Sequence, residues 1–221
     1  MSLWQDFLTH DGKLMHKCAH YFPIYERHFS SYRNKSVTFL EIGVARGGSV
    51  RMWQRFFGPM SKIIGIDIEE KFKEEIPGVF IRIGDQSDER FLQSIIDEFG
   101  VPDIVLDDGS HRAEHISKSF NFLYPKMPKN GVYMVEDLQT AYWEEYGGGV
   151  SEPGTFTNLS KGFIDRLNAD NSRGQLAPDF ITHETFSISF YDAVVVLEKG
   201  DVYRKETLRS GRKTLMDRLR G

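Results

Sequence analysis

Asp107-Asp108-Gly109-Ser110-His111 is followed, twenty-five residues after the histidine, by Glu136-Asp137. Each acidic cluster comes directly after a short apolar run, Ile104-Val105-Leu106 in the first case and Val132-Tyr133-Met134-Val135 in the second. Asp108, Glu136 and Asp137 have no soft ligand beside them, and hard oxygen donors favour Mg²⁺ or Mn²⁺ over zinc or copper. A divalent cation lowers the pKa of a bound oxygen by several units, and a histidine is suited to take the released proton. His111 is the candidate base, and the set could deprotonate a hydroxyl. Each carboxylate could instead cap a helix or pair with a lysine. His111 and His115, spaced i, i+4, could alternatively form a metal pair.

The elements around these residues make the sharing of one ion plausible. Between the two runs, Ala113, Ile116, Phe120 and Leu123 repeat on one helix face. Strand, helix, strand implies a right-handed crossover, so both clusters emerge at the same edge of a parallel sheet. If the strands are neighbours, their ends lie ~5 Å apart. Consecutive strand residues point to opposite faces, so Glu136 and Asp137 share an ion only if the strand has ended there.

Similar alternation runs from Val37 onward. Strands are predicted at 37–42, 62–67, 79–83, 102–107 and 131–136, and helices at 48–57, 88–99, starting after Ser87, and 111–126. This is the pattern of a doubly wound α/β domain. A short helix near 160–168 and a hairpin of strands at 180–190 and 193–198, turning at Tyr191-Asp192, should close the sheet. Residues 138–158 form a long irregular segment with Tyr142, Trp143, Tyr146 and three consecutive glycines, and are expected to act as a lid over an acceptor. The divisions are 1–35, an aromatic and histidine-rich segment, 36–200, the α/β domain, and 201–221, a basic tail. Tyr21 and Tyr25 are candidates for lining a cofactor pocket.

Composition narrows the class. The 221 residues suit one globular domain, and a formal charge of −4 argues against nucleic acid as the main partner. Seven Lys or Arg against three Asp or Glu make residues 200–221 net +4, leaving −8 for residues 1–199. A single cysteine, Cys18, excludes an internal disulfide and fits a cytoplasmic protein. No apolar run reaches membrane-spanning length, so no membrane partner is expected. The first residues do not read as a secretory signal.

Between the first strand and its helix lies Glu41-Ile42-Gly43-Val44-Ala45-Arg46-Gly47-Gly48-Ser49. It has neither the P-loop ending nor the Gly-x-Gly-x-x-Gly spacing of a dinucleotide fold. Glycines such as Gly43 let backbone approach a ligand. Asp67, ending the second strand, suits a ribose, while Asp85 and Gln86 could meet an adenine edge and Asp107 could also meet cofactor. Glu41 would repel a pyrophosphate and attract a cation. S-adenosylmethionine has a sulfonium, an ammonium and no phosphate.

With Leu40-Glu41-Ile42-Gly43, Asp67, Gly84-Asp85 and the closing hairpin, the chain resembles Rossmann-like class I S-adenosylmethionine-dependent methyltransferases. Asp107-Asp108-Gly109-Ser110-His111 and Val135-Glu136-Asp137-Leu138-Gln139-Thr140-Ala141-Tyr142-Trp143 are similar to the macrolide-sugar O-methyltransferases of the mycinamicin and tylosin type, from about His20 to Glu198. The resemblance implies a mostly parallel seven-stranded sheet with a C-terminal antiparallel hairpin. It implies Asp108, Glu136 and Asp137 as magnesium ligands and His111 as the base that deprotonates a sugar hydroxyl. Members of the mycinamicin type carry a sizeable N-terminal auxiliary domain, whereas only about thirty-five residues precede the first strand here. The expected function is metal-dependent O-methylation of a sugar or natural-product glycoside, with a homo-oligomer left open. The alternatives are O-methylation of a catechol or other small diol, or a noncatalytic nucleotide- or S-adenosylmethionine-binding module.

Overall fold

Seven strands form one sheet in the order β3-β2-β1-β4-β5-β7-β6, in a computed structural model that describes residues 2–70, 76–201, 208, 210 and 211. Strands β1 (Thr38–Ile42), β2 (Lys62–Asp67), β3 (Val79–Ile83), β4 (Ile104–Asp107) and β5 (Val132–Val135) are parallel; β6 (Thr185–Tyr191) and β7 (Val194–Lys199) close the sheet antiparallel. The near-continuous apolar runs of β4 and β5 are buried throughout, as strands covered on both faces must be. The basic tail read at 201–221 lies almost wholly outside the described residues.

Helices α1 (Leu3–Leu8), α2 (Tyr21–Phe29) and α3 (Gly48–Phe57) cover one face of the sheet, and α4 (Glu89–Phe99) and α5 (Ala113–Leu123) cover the other. Short helices α6 (Phe156–Lys161), α7 (Phe163–Leu167) and α8 (Phe180–Glu184) join the second layer. On the first face Tyr25, Phe29, Phe39, Trp53 and Phe57 form an aromatic core. Thus the aromatic N-terminal segment is built into the core, which its composition alone did not reveal. Among the described residues no helix is long and apolar enough to cross a membrane.

Four local expectations are revised. Residues 180–184 are helical, because the Asp179 side chain accepts from the Ile181 and Thr182 amides while Thr182 Oγ1 accepts from Asp179 N; this capping box overrides the apolar pattern. The hairpin turn falls at Asp192–Ala193, Ala193 having φ +57°. Asp88 rather than Ser87 caps α4, accepting from Arg90 N at 2.9 Å. The single helix read near 160–168 is α6 followed by α7.

Register brings the chemistry to one edge. Ile42 pairs with Asp107 and Asp107 with Val135, so the turns after β1, β4 and β5 leave the sheet side by side. Gly43 is obligatory there. It has φ +88°, and a Cβ would lie 2.0 Å from the Asp108 carbonyl oxygen.

Candidate functional site

A cavity of about 370 Å³ opens along this edge, lined by Gly43, Asp67, Asp85, Gln86, Asp108, His111 and Asp137 among others. At one end Asp67 stands beside the β1–α3 turn. Its Oδ2 accepts from Ala45 N at 2.7 Å and its Oδ1 from Glu69 N at 2.9 Å. Asp85 accepts from Ser87 N, and that bond first of all holds its carboxyl below the usual range. Gln86 ties the wall together: its Oε1 accepts from Ser110 N at 2.7 Å and its Nε2 donates to Asp107.

Two residues expected at the cofactor are turned away from the cavity. Asp107 is buried and accepts from Ser119 Oγ at 2.8 Å and from Gln86; burial pushes its carboxyl up and these bonds offset part of the rise. Its role is to hold the wall behind the pocket. Glu41 is fully buried, accepting from Ser49 Oγ at 2.7 Å and Trp53 Nε1 at 3.1 Å. A strand side chain facing α3 cannot also face the cavity, and a buried carboxylate takes the partners at hand. Tyr21 and Tyr25, suggested as pocket residues, instead donate to the acidic cluster from α2: Tyr21 to Asp137 Oδ1 at 2.7 Å and Tyr25 to Glu136 Oε2.

At the other end, Asp108, His111 and Asp137 each offer a ligand atom within 4.8 Å of the others. His111 Nε2 lies 3.7 Å from Asp137 Oδ2. Both residues adopt left-handed backbone, φ +57° and +56°, which turns their side chains toward each other past the ends of β4 and β5. The Thr140 hydroxyl joins the two turns, donating to the His111 carbonyl at 3.2 Å and to the Asp137 carbonyl at 2.7 Å. Burial works against the Asp137 carboxylate, but hydrogen bonds from Tyr21 and Gln139 hold its pKa below the usual range. The two carboxylates are hard oxygen donors of the kind a Mg²⁺ or Mn²⁺ ion accepts, with the imidazole beside them. His115 is not part of this group; its Nδ1 lies 3.0 Å from Ser110 Oγ.

Glu136 departs from the expected trio. β5 ends at Val135, as sharing an ion required, yet Glu136 and Asp137 still diverge. Glu136 Oε1 accepts from Lys17 Nζ at 2.7 Å and its Oε2 from Tyr25, so both its oxygens are engaged. Lys17 was not identified from sequence, where a lysine in an irregular stretch carries no signal. Its side chain is 2% exposed, and Nζ lies 2.5 Å from Asp108 Oδ2 and 3.5 Å from Glu41 Oε1. Burial pulls the Lys17 ammonium down, but Asp108, Glu136 and Glu41 together hold it well above the ordinary lysine value. Burial and then the Glu136 charge push the Asp108 carboxyl up, with Lys17 opposing only in part. The carboxyl groups of Asp108, Glu136 and Glu41 thus lie around one ammonium.

Residues 138–158 are less loose than their composition suggests. Two 3₁₀ turns, Leu138–Tyr142 and Glu144–Tyr146, lead into a bend where Gly148 N donates to the Trp143 carbonyl and Gly149 N to the Ala141 carbonyl, each at 2.9 Å. A Cβ on Gly148 would lie 2.5 Å from the Ala141 carbonyl oxygen, so that glycine serves close packing rather than hinging. Leu138, Thr140 and Phe156 are buried anchors, while Tyr142 and Trp143 are about half exposed. The Tyr146 ring is 6.3 Å from that of His111.

No family model matches the chain. Demethylmacrocin O-methyltransferase of Streptomyces fradiae is 38% identical over 198 residues, covering 82% of this chain and 49% of that protein. Mycinamicin VI 2''-O-methyltransferase of Micromonospora griseorubida is 38% identical over 194 residues, 82% of this chain and 48% of that protein. The chain thus spans about half the length of the curated relatives it matches. Among solved structures, the MycE methyltransferase from the mycinamycin biosynthetic pathway, in complex with Mg and SAH, superposes with a TM-score of 0.76 at 35% identity, covering 90% of this chain and 54% of that one. A further structure of MycE contains mycinamycin VI as well. The seven-stranded sheet with its antiparallel end is the Rossmann-like methyltransferase fold.

Proposed function

Because the chain is a homologue of the macrolide-sugar O-methyltransferases over about half of their length, we propose that it transfers a methyl group from S-adenosylmethionine to a hydroxyl of a sugar on a natural-product glycoside, with Mg²⁺ or Mn²⁺ as the required cation. The convergence of Asp108, His111 and Asp137 at the mouth of the cavity carries this reading. Beside them, Asp67 and Asp85 supply acceptors for the hydroxyl and amino groups of a nucleoside. A pyrophosphate would meet two carboxylates there and no lysine or arginine among the residues lining the cavity.

A divalent cation at Asp108 and Asp137 would acidify an acceptor hydroxyl and fix it at attack distance. Of the chain's own groups, His111 Nε2 takes the hydroxyl proton as the oxygen bonds to the methyl carbon and the sulfur–methyl bond breaks. Tyr21 and Gln139 orient Asp137 by hydrogen bonds. Tyr142, Trp143 and Tyr146 present aromatic surface on which a sugar can stack, and closure of this segment would exclude water from the transfer. Glu136 remains a candidate ligand once its bond to Lys17 is released.

The test is transfer of labelled methyl from S-adenosylmethionine to a panel of macrolide glycosides, free sugars and catechols, with Mg²⁺ and with excess EDTA. Methylation of a glycoside that EDTA abolishes, and that Mg²⁺ restores better than Zn²⁺, is the expected result. Methylation of catechols alone would replace the sugar with a small diol. Binding of S-adenosylmethionine without turnover on any acceptor would favour a binding module.

A further inference from the structure

The segment before α2 crosses the cofactor turn and ends inside the acidic cluster. Gly48, opening α3, leaves room for it: a Cβ there would lie 2.5 Å from the Leu14 carbonyl oxygen and 2.6 Å from that of Lys13. Three residues past Leu14, the Lys17 side chain is buried with its ammonium between Asp108 and Glu136. These are two of the three carboxylates that the family resemblance assigns to one cation. The third, Asp137, is held instead by Tyr21 and Gln139 and faces His111.

We propose that Lys17 is a tethered competitor for the divalent ion, bridging Asp108 and Glu136 until the ion arrives and withdrawing so that both carboxylates can close on it. This rests on the metal reading above and adds to it a residue and a coupling. An ammonium 2.5 Å from Asp108 Oδ2 and a divalent cation on the same carboxylate repel each other strongly in a buried site. With the lysine in place, the oxygens of Asp108 and Glu136 that bond it are neutralised and the sheet edge avoids uncompensated carboxylates. Once it has withdrawn, Glu136 keeps its bond from Tyr25 and gains a free oxygen toward Asp108. Site closure is thereby coupled to movement of residues 13–17, which pass over the same turn that borders the Asp67 end of the cavity.

The experiment measures Mn²⁺ affinity by electron paramagnetic resonance for the wild type, Lys17→Met and Lys17→Arg. Lys17→Met should bind Mn²⁺ at least about tenfold more tightly, since a like charge has been removed from the site, while Lys17→Arg should stay near the wild type or bind more weakly. A second measurement needs no variant. Amine acylation read by peptide mass spectrometry should find Lys17 protected in EDTA and labelled at least about tenfold faster in saturating Mn²⁺. Tighter binding together with metal-dependent labelling supports the proposal. Mn²⁺ affinity unchanged or lowered in Lys17→Met, or labelling indifferent to the ion, overturns it while leaving the metal site standing. Failure of the wild type and Lys17→Met alike to bind Mn²⁺ removes the metal reading and this proposal together.

Discussion

At the scale of single residues, His111 and Asp67 carry separable roles. His111→Ala should lower turnover by roughly 10²–10⁴-fold, the range for a lost general base, with cofactor and metal affinity nearly unchanged. Steady-state kinetics and Mn²⁺ titration of the same preparation check both halves. A loss of Mn²⁺ affinity as large as the loss of turnover would make His111 a ligand, a role its closeness to Asp108 and Asp137 permits. Asp67→Ala should weaken S-adenosylhomocysteine binding by about 1–3 kcal/mol, the cost of losing charged hydrogen bonds to a ribose. Calorimetry reads this directly, and unaltered affinity would place the ribose elsewhere.

At the scale of elements, α2 is fastened to the hairpin as well as to the acidic cluster. His28 Nδ1 lies 3.0 Å from Glu198 Oε1 on β7, and its Nε2 lies 2.8 Å from the Tyr191 hydroxyl on β6. The hydrogen bond to His28 first of all, with Ser187 adding to it and burial opposing, holds the Glu198 carboxyl below the usual range. A depressed carboxyl stabilises the fold above its unfolded-state pKa, and that contribution is lost as the pH falls through the folded-state value. Glu198→Gln should therefore be less stable than the wild type near neutrality, with the gap shrinking as the pH drops below about 4.3, the ordinary glutamate value. Urea unfolding across pH 3–7 is the measurement, and a constant gap would show that the carboxylate charge plays no part. The segment after β5 gives a different expectation. With Leu138 and Phe156 anchored and Tyr142 and Trp143 exposed, Trp143→Ala should raise KM for the glycoside by about 5–30-fold, the loss of one to two kcal/mol of stacking. S-adenosylmethionine affinity should not change. An unaltered KM would take Trp143 out of the acceptor site.

At the scale of the whole molecule, ligand and fold are linked through the sheet edge. The cavity is bordered by turns after β1, β2, β3, β4 and β5, so a bound nucleoside bridges segments from Gly43 to Asp137 that unfolding would separate. S-adenosylhomocysteine at a hundred times its Kd should stabilise by about 2.7 kcal/mol. For a domain of this size that is a rise in Tm of about 5–10 °C. NAD at the same concentration should produce none. A scanning calorimeter distinguishes the two, and a shift with NAD alone would reverse the cofactor assignment.

The sequence by itself determined the alternation of strands and helices and the position of Asp108, His111, Glu136 and Asp137 at strand ends. That information is local: a repeat of two or of 3.6 is written into neighbouring residues and needs no distant partner. At Gly43 the sequence implied close approach to a ligand, whereas what the structure packs against it is the backbone of Asp108. The tertiary structure alone decided where each carboxylate points. Glu41 turned to Ser49 and Trp53, Asp107 to Ser119, and Glu136 to Lys17 and Tyr25, residues as far as 119 positions away. A charge leaving water must find a partner or a proton, and which partner is within reach depends on how remote segments pack. Lys17 is the clearest case, because nothing in its neighbours along the chain marks it, and only the passage of residues 13–17 over the β1–α3 turn brings its ammonium to the acids.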